Sequence, residues 1–156
     1  MFSKILIANR GEISCRIIKT AKKMGIKTVS VCSEIDMNSP HVLLADEFVN
    51  IGGSTSAESY LVIEKIISAM ETSGAEAVHP GYGFLSENVN FCNAVNKAGK
   101  VFIGPPNKAI SVMGDKIESK KIAFDSGVSV VPGGIKIIDS IKNALKEASD
   151  IGYPVM

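Results

Sequence analysis

Cysteine is scarce and poorly spaced for chemistry. Cys15, Cys32 and Cys92 are an odd number with no C-x-x-C pair, which speaks against a disulfide framework or a thiolate metal site. Reduced, mostly buried thiols in a cytosol-like compartment fit this pattern better. Charge of one sign is also not in excess. The net charge of +1 argues against a general binder of nucleic acid or membrane. No apolar run is long enough to span a bilayer. No secretory signal is visible, because Met1-Phe-Ser-Lys runs directly into a strand-like segment. A cytoplasmic setting is expected, or a matrix-like one if the protein is organellar, with no transit peptide seen. Phosphate signatures are missing as well. There is no G-x-x-x-x-G-K-[ST], and only Gly11 follows the first strand, where a dinucleotide fold would carry G-x-G-x-x-G.

What is present favours a packed core. Hydrophobic residues make up 46% and charged residues 21% of the 156, enough for one domain, or one domain with a piece of another. The charge is uneven. Residues 1–30 hold Lys4, Arg10, Arg16, Lys19, Lys22, Lys23 and Lys27 against one acid, Glu12. Either this is a solvated helix face with cations near the helix C-terminus, or it receives an anionic partner.

The order of elements is that of an α/β protein. Lys4–Ala8 reads as a buried parallel strand, and Asn9-Arg10-Gly11-Glu12 turns the chain. A helix with Ile13, Ile17, Ile18, Ala21 and Met24 on one face follows and stops at Gly25. Thr28–Cys32 is the next strand, which makes a right-handed β-α-β unit. Phe48–Ile51 and Ala75–Val78 are further strands, with an apolar helix over Tyr60–Met70 between them. A helix over Asn88–Ala98 and a strand over Val101–Ile103 complete an open, mainly parallel Rossmann-like sheet covered on both faces. A first domain over residues 1–106 is expected. A helical linker over 107–131 follows, with short helices at Lys108–Met113 and Lys116–Phe124. Residues 132–156 read as the incomplete start of a second domain, a helix over Ser140–Ser149 ended by Gly152. Its last segment, Tyr153–Met156, reads as a strand entering with no neighbour to pair with.

The segment from Ala77 to Asn88 carries the strongest local signal. A strand ends at His79-Pro80, a bare turn follows at Gly81-Tyr82-Gly83, and Ser86-Glu87-Asn88 reads as a helix start. Open α/β sheets keep their ligands at such strand ends. Gly81-Tyr-Gly83 can equally be a plain turn. His79 suits acid–base work near neutrality, yet a lone His beside a proline turn also reads as a hydrogen-bonded structural residue. His41, in a polar linker, reads as structural. Glu87, placed in the first turn of a helix, either favours the positive helix end or contacts a ligand or neighbouring domain. Tyr82 packs poorly into its own core from between two glycines and is expected to face outward. Lys116, after Gly114-Asp115, is either solvated or reaches a nucleotide phosphate.

Four motifs in this order and spacing resemble the amino-terminal part of biotin carboxylases. They are Ala8-Asn-Arg-Gly-Glu-Ile13, His79-Pro-Gly-Tyr-Gly-Phe-Leu-Ser-Glu-Asn88, Phe102-Ile-Gly-Pro105 and Met113-Gly-Asp-Lys116. The resemblance runs through all 156 residues and leans toward the acyl-CoA carboxylases, propionyl-CoA first and acetyl-CoA next. It implies an ATP-grasp enzyme whose first domain is Rossmann-like and whose residues from 132 onward begin a lid. Such a ligase uses ATP, Mg2+ or Mn2+, and bicarbonate to carboxylate biotin on a carrier domain, and a carboxyltransferase subunit passes the group on. By resemblance, Lys116 is an ATP ligand. Tyr82, Gly83, His79, Gly81 and Glu87 form the wall of the biotin-facing cleft, and Arg10 and Gly11 shape the same face. The resemblance puts the lid glycines, metal ligands and catalytic charges after the end of this chain, so no catalytic or metal residue is expected within it and the segment alone is expected to be inactive. Lys19 and Lys23 also depart from the pattern, since bacterial dimers of the family have an acid at the second position. The alternatives are a non-catalytic assembly module of a carboxylase complex, or another ATP-grasp ligase.

Overall fold

The apolar run at the start of the chain becomes the middle strand of a parallel sheet. The computed structural model describes residues 1–134 and 137–155. β1 (Lys4–Ile7), β2 (Lys27–Cys32), β3 (Glu47–Asn50), β4 (Ala77–His79) and β5 (Val101–Phe102) pair in the order β3-β2-β1-β4-β5, every neighbour parallel. Connections within such a sheet must cross over, and helices supply the crossovers. α1 (Gly11–Lys23) links β1 to β2, and α2 (Pro40–Leu44) precedes β3. α3 (Ile63–Ser73) leads to β4 and α4 (Val89–Lys97) to β5. α5 (Asn107–Gly114), α6 (Lys116–Asp125) and α7 (Ile141–Ile151) follow. The chain divides into two compact units, Met1–Ile110 and Ser111–Met156.

Strand residues alternate between two cores, as a two-residue period demands. Leu6, Val29, Val31 and Val78 face Ile66, Met70, Phe91 and Val95 of α3 and α4, all buried. Ile5 and Ala77 face the other way, onto Ala21 of α1 and Ile26. Each large apolar side chain so buried contributes about 1.5–3 kcal/mol, which explains why short strands suffice.

The basic start of the chain finds its counter-ions later in sequence. Lys4 pairs with Glu47 at 2.7 Å, Arg10 with Asp36 at 3.3 Å and Lys22 with Asp46 at 3.3 Å. Lys22 and Lys23 occupy the last turn of α1, where cations suit the helix dipole. Arg16 and Lys19 stay on its exposed side.

Several sequence expectations are corrected. The helix expected from Tyr60 begins at Ile63; Tyr60 lies in the preceding turn, where its hydroxyl is held by Asp36 and the Ser33 amide. Glu87 is not in a helical turn. Asn88 is the N-cap of α4, its side chain accepting from the Phe91 amide at 3.0 Å, so Glu87 stands outside the helix. His41 is not in a linker but in α2, completely buried. Tyr153–Val155 form no strand, for among the described residues of the second unit there is no strand to pair with. Met156, the last residue of that expected strand, lies outside the described residues.

The second unit is helical as described. Asp115 caps α6, accepting from the amides of Ile117 at 2.8 Å and Glu118 at 2.9 Å. Ser140 caps α7 through the Asn143 amide at 3.3 Å. Neither α6 nor α7 has a buried residue.

Candidate functional site

Strand order fixes where a ligand can enter. The chain winds outward from β1 to β2 and β3, then returns to place β4 on the opposite side of β1. The loops leaving β1 and β4 therefore diverge, and a crevice opens at their carboxyl ends. Register puts Ile7 beside both Ser30 and His79, so these loops leave the sheet at one level. Between them lies an open cleft of about 520 Å³ lined by Asn9, Arg10, Gly11, Glu12, Ile13, Asp36, Ser39, Pro40, Tyr82, Gly83 and Phe84.

Asn9 holds the two loops together from below. It is buried, and its Nδ2 donates to the carbonyls of Pro80 at 2.8 Å and Tyr82 at 2.9 Å. Its Oδ1 accepts from the Arg10 amide at 2.9 Å. Every polar atom of the side chain is thus used, as burial requires. Gly81 fits against it with φ +66°; a Cβ there would come within 2.7 Å of Ile13 Cγ2 and 2.8 Å of Asn9 Nδ2. Only glycine takes this conformation in this space. Gly83, also left-handed at +68°, faces open space.

His79 serves the turn. Its Nδ1 accepts from the Gly81 amide at 3.0 Å, which leaves the proton of the neutral ring on Nε2. Burial pushes its pKa down, so the ring stays uncharged at neutral pH. Tyr82 is mostly exposed, and its hydroxyl donates to Glu12 Oε1 at 3.2 Å. That hydrogen bond, with smaller help from burial and the Glu12 charge, raises the phenol pKa.

On the far side of the cleft a polar and aromatic assembly holds the rim. Asp36 Oδ2 accepts from the Tyr60 hydroxyl at 2.6 Å, Ser33 Oγ at 2.9 Å and Arg10 Nη1 at 3.3 Å. Burial works to raise the Asp36 pKa, but these donors outweigh it and hold it low. Burial and the same hydrogen bond push the Tyr60 phenol well up. The Arg10 side of its ion pair with Asp36 is about half exposed, and pairs open to solvent contribute about 0–1 kcal/mol. A hydrogen bond to a charged group from a buried donor contributes about 1.5–3 kcal/mol, so the phenol does more than the guanidinium to anchor Asp36. The Tyr60 and Phe84 rings stack with centroids 5.3 Å apart and planes at 1°. The Arg10 guanidinium lies 5.6 Å and 5.9 Å from their centroids. Phe84 keeps its ring there at φ +43°, a left-handed conformation that costs a non-glycine residue roughly 1–2 kcal/mol.

The structure therefore brings Tyr82 and Gly83 together with Arg10 and Gly11 in one cleft. His79 and Gly81 support that loop without lining the cleft, and Glu87 is exposed and does not line it either. Lys116 is the exposed first residue of α6, in the second unit. Sequence reasoning missed Asn9, Asp36, Tyr60 and Phe84 as parts of the site. Among the described residues no cluster of three His, Cys, Asp or Glu side chains could hold a metal ion, and no helix is long and apolar enough to cross a membrane.

Known proteins match this arrangement along the whole chain. The propionyl-CoA carboxylase alpha chain of Ruegeria pomeroyi is 56% identical over 156 residues, which are 100% of this chain and 23% of that protein. The biotin carboxylase–β,γ-ATP complex from Campylobacter jejuni superposes with a TM-score of 0.92 at 44% identity, over 99% of this chain and 34% of that one. The biotin carboxylase domain dimer of Hydrogenobacter thermophilus 2-oxoglutarate carboxylase, solved with MgADP, ADP and bicarbonate, gives 0.90 at 45% identity, over 99% and 34%. The chain thus spans well under half the length of each. The family model for the biotin carboxylase N-terminal domain matches residues 1–110, the same stretch as the first unit with its cleft, and this chain belongs to that family.

Proposed function

We propose that this chain is the amino-terminal part of a biotin carboxylase that uses ATP and bicarbonate to carboxylate biotin on a carrier domain. The acceptor beyond biotin is an acyl-CoA, propionyl-CoA before acetyl-CoA, reached through a carboxyltransferase subunit. The observation that carries this reading is the cleft at the β1/β4 crevice, where Tyr82 and Gly83 stand opposite Arg10 and Gly11 on a loop locked from beneath by Asn9. A ring projecting from a fixed loop offers a flat apolar surface to a bicyclic ligand such as biotin. The relatives solved with nucleotide and bicarbonate support the choice of co-substrates.

In this reading residues 1–106 are the Rossmann-like domain, 107–131 a helical linker and 132–156 the start of an ATP-grasp lid. Lys116 serves as a point charge for an ATP phosphate, and the protein works in the cytoplasm or an organellar matrix. The residues present do not fit a metal. The two cleft carboxylates, Asp36 and Glu12, are engaged by Tyr60, Ser33 and Arg10 and by Tyr82 respectively. Phosphoryl chemistry depends on charge clamps and metal, so this chain alone supplies a wall and a point charge, without turnover.

The test compares ATP-dependent carboxylation of free biotin by two proteins. One is the 156-residue chain; the other is the Ruegeria pomeroyi alpha chain with its matching segment replaced by this sequence. No turnover by the first and clear turnover by the second is expected. Robust turnover by the short chain, or a folded but inert chimera, would overturn the reading.

A further inference from the structure

Tyr82 owns little of what holds it. Its side chain is mostly exposed and makes one hydrogen bond, to Glu12. Two residues on, Phe84 is anchored far more strongly. Its ring lies flat on the buried Tyr60 ring, and the Tyr60 hydroxyl is tied to Asp36. Arg10 closes the assembly over both rings and onto the same carboxylate. The loops after β1, β2 and β4 all converge on one aromatic pair, whose second ring comes from the turn before α3.

The backbone at Phe84 argues that this contact is more than incidental packing. Phe84 is the only non-glycine residue with positive φ among the described residues. Gly81 and Gly83, its neighbours, already satisfy the same backbone need without a side chain. A glycine at 84 would suit the chain conformation better, so the ring must return something the backbone alone does not provide.

We infer that Phe84, Tyr60 and Asp36 are positioning residues of the cleft. They form an outer latch that fixes the loop carrying Tyr82 and Gly83, while Asn9 fixes it from inside. Asp36 and Phe84 also reach the cleft wall, while Tyr60 lies behind it; the role assigned to all three is to hold the loop. The same latch lays the Arg10 guanidinium along the rim. The effect on ligand binding rests on the proposed function; the effect on the loop does not.

Two measurements test this. The first is limited chymotrypsin cleavage after Tyr82 in the chain, with cleavage after Phe48, in β3 of the same unit, as the internal reference. Phe84→Gly removes the ring while relieving the backbone, and Phe84→Tyr keeps the ring. Phe84→Gly is expected to speed cleavage after Tyr82 roughly tenfold relative to Phe48, because losing the stack opens the loop locally. Phe84→Tyr should match the unaltered chain. An unchanged ratio in Phe84→Gly overturns the latch. So does equal acceleration at both sites, which would make Phe84 an ordinary core residue.

The second measurement is biotin carboxylation by the Ruegeria chimera carrying the same substitutions. Phe84→Gly should raise KM for biotin several-fold with kcat held, and Phe84→Tyr should restore it. Faster loop cleavage with an unaltered KM would keep the latch and overturn the assignment of biotin to this cleft.

Discussion

The Asn9 side-chain amide donates to the main-chain carbonyl of Tyr82 at 2.9 Å, so the end of the first strand holds the loop that follows the fourth. Seventy-three positions separate the two residues, yet the loop is stationed by this bond and its companion to Pro80.

Asn9→Ala leaves the buried Pro80 carbonyl and the part-buried Tyr82 carbonyl without their donor, and it is expected to cost about 2–4 kcal/mol, since only the first carries the full penalty of a buried unpaired group. Asn9→Asp should cost at least as much, since a carboxylate would face the same two carbonyls. Urea denaturation of the chain checks this. A loss below about 0.5 kcal/mol, the range of neutral surface changes, would mean the clamp contributes nothing to stability.

Gly81→Ala and Gly83→Ala separate strain from collision. Both positions are left-handed, but only at Gly81 would the new methyl meet Ile13 and Asn9. Gly83→Ala should cost about 1–2 kcal/mol from the conformation alone, and Gly81→Ala more, by about 1–3 kcal/mol of overpacking. Equal costs in thermal melts would remove the argument for a crowded turn.

Acid should weaken the fold in two steps. His41 and His79 are both held below the ordinary imidazole value, chiefly by burial. The folded rings stay neutral while unfolded chains take up protons, so their contribution is present above the unfolded value of about 6.5 and is lost as pH falls. Neither nitrogen of the buried His41 ring has a hydrogen-bond partner among the described residues. Its pKa is lowered chiefly by burial; the Val31 backbone offsets part of this without forming a hydrogen bond of ordinary geometry. His41→Leu is therefore expected to be tolerated at pH 7.5 and to shrink the fall in Tm between pH 7.5 and 5.5. A second loss follows below the ordinary carboxylate range. Asp36 and Asp46 are held low by their donors against the pull of burial, and they lose those contacts on protonation. An unchanged pH 5.5 to 7.5 slope in His41→Leu would contradict the first step.

Lys116→Gln tests the proposed nucleotide role. In the Ruegeria chimera, losing one charged contact to phosphate should raise KM for ATP about ten- to hundredfold, the equivalent of 1.5–3 kcal/mol. KM for biotin should move little. An unchanged KM for ATP would return Lys116 to the status of a solvated helix-start lysine.

Much of the sheet was legible because its signals are local. β1 and β4 are short apolar runs and β2 is rich in β-branched residues, each is bounded by glycine, proline or polar turns, and α1 shows its buried face at helical spacing. The loop from Pro80 to Phe84 announced itself through two glycines around an exposed aromatic. What could not be read were pairings across long separations. Tyr60 sits beside an apolar helix and its local pattern merges with it, while its partner Asp36 lies 24 positions earlier. Phe84 looked like one more apolar residue, since nothing local reveals a positive φ held by a distant ring. Glu87 lies two positions before the first helical residue, Val89; both it and Asn88 suit a helix start, and only the capping geometry separates them. The charge surplus of residues 1–30 was real in the sequence but partly cancelled by Asp36, Asp46 and Glu47 in the fold.

The central position of β1 also sets an order of assembly. β1 meets β2 through the nearby α1 crossover, but it gains β4 only after a loop of some seventy residues has closed. Closing a long loop is entropically dearer and slower than closing a short one. The β1–α1–β2 half should therefore gather early during refolding, with the crevice completed late. In pulsed hydrogen exchange, the Ala8 amide, which donates to His79, should gain protection after those of β2. The crevice is thus the part of the first unit that a folding chain reaches last.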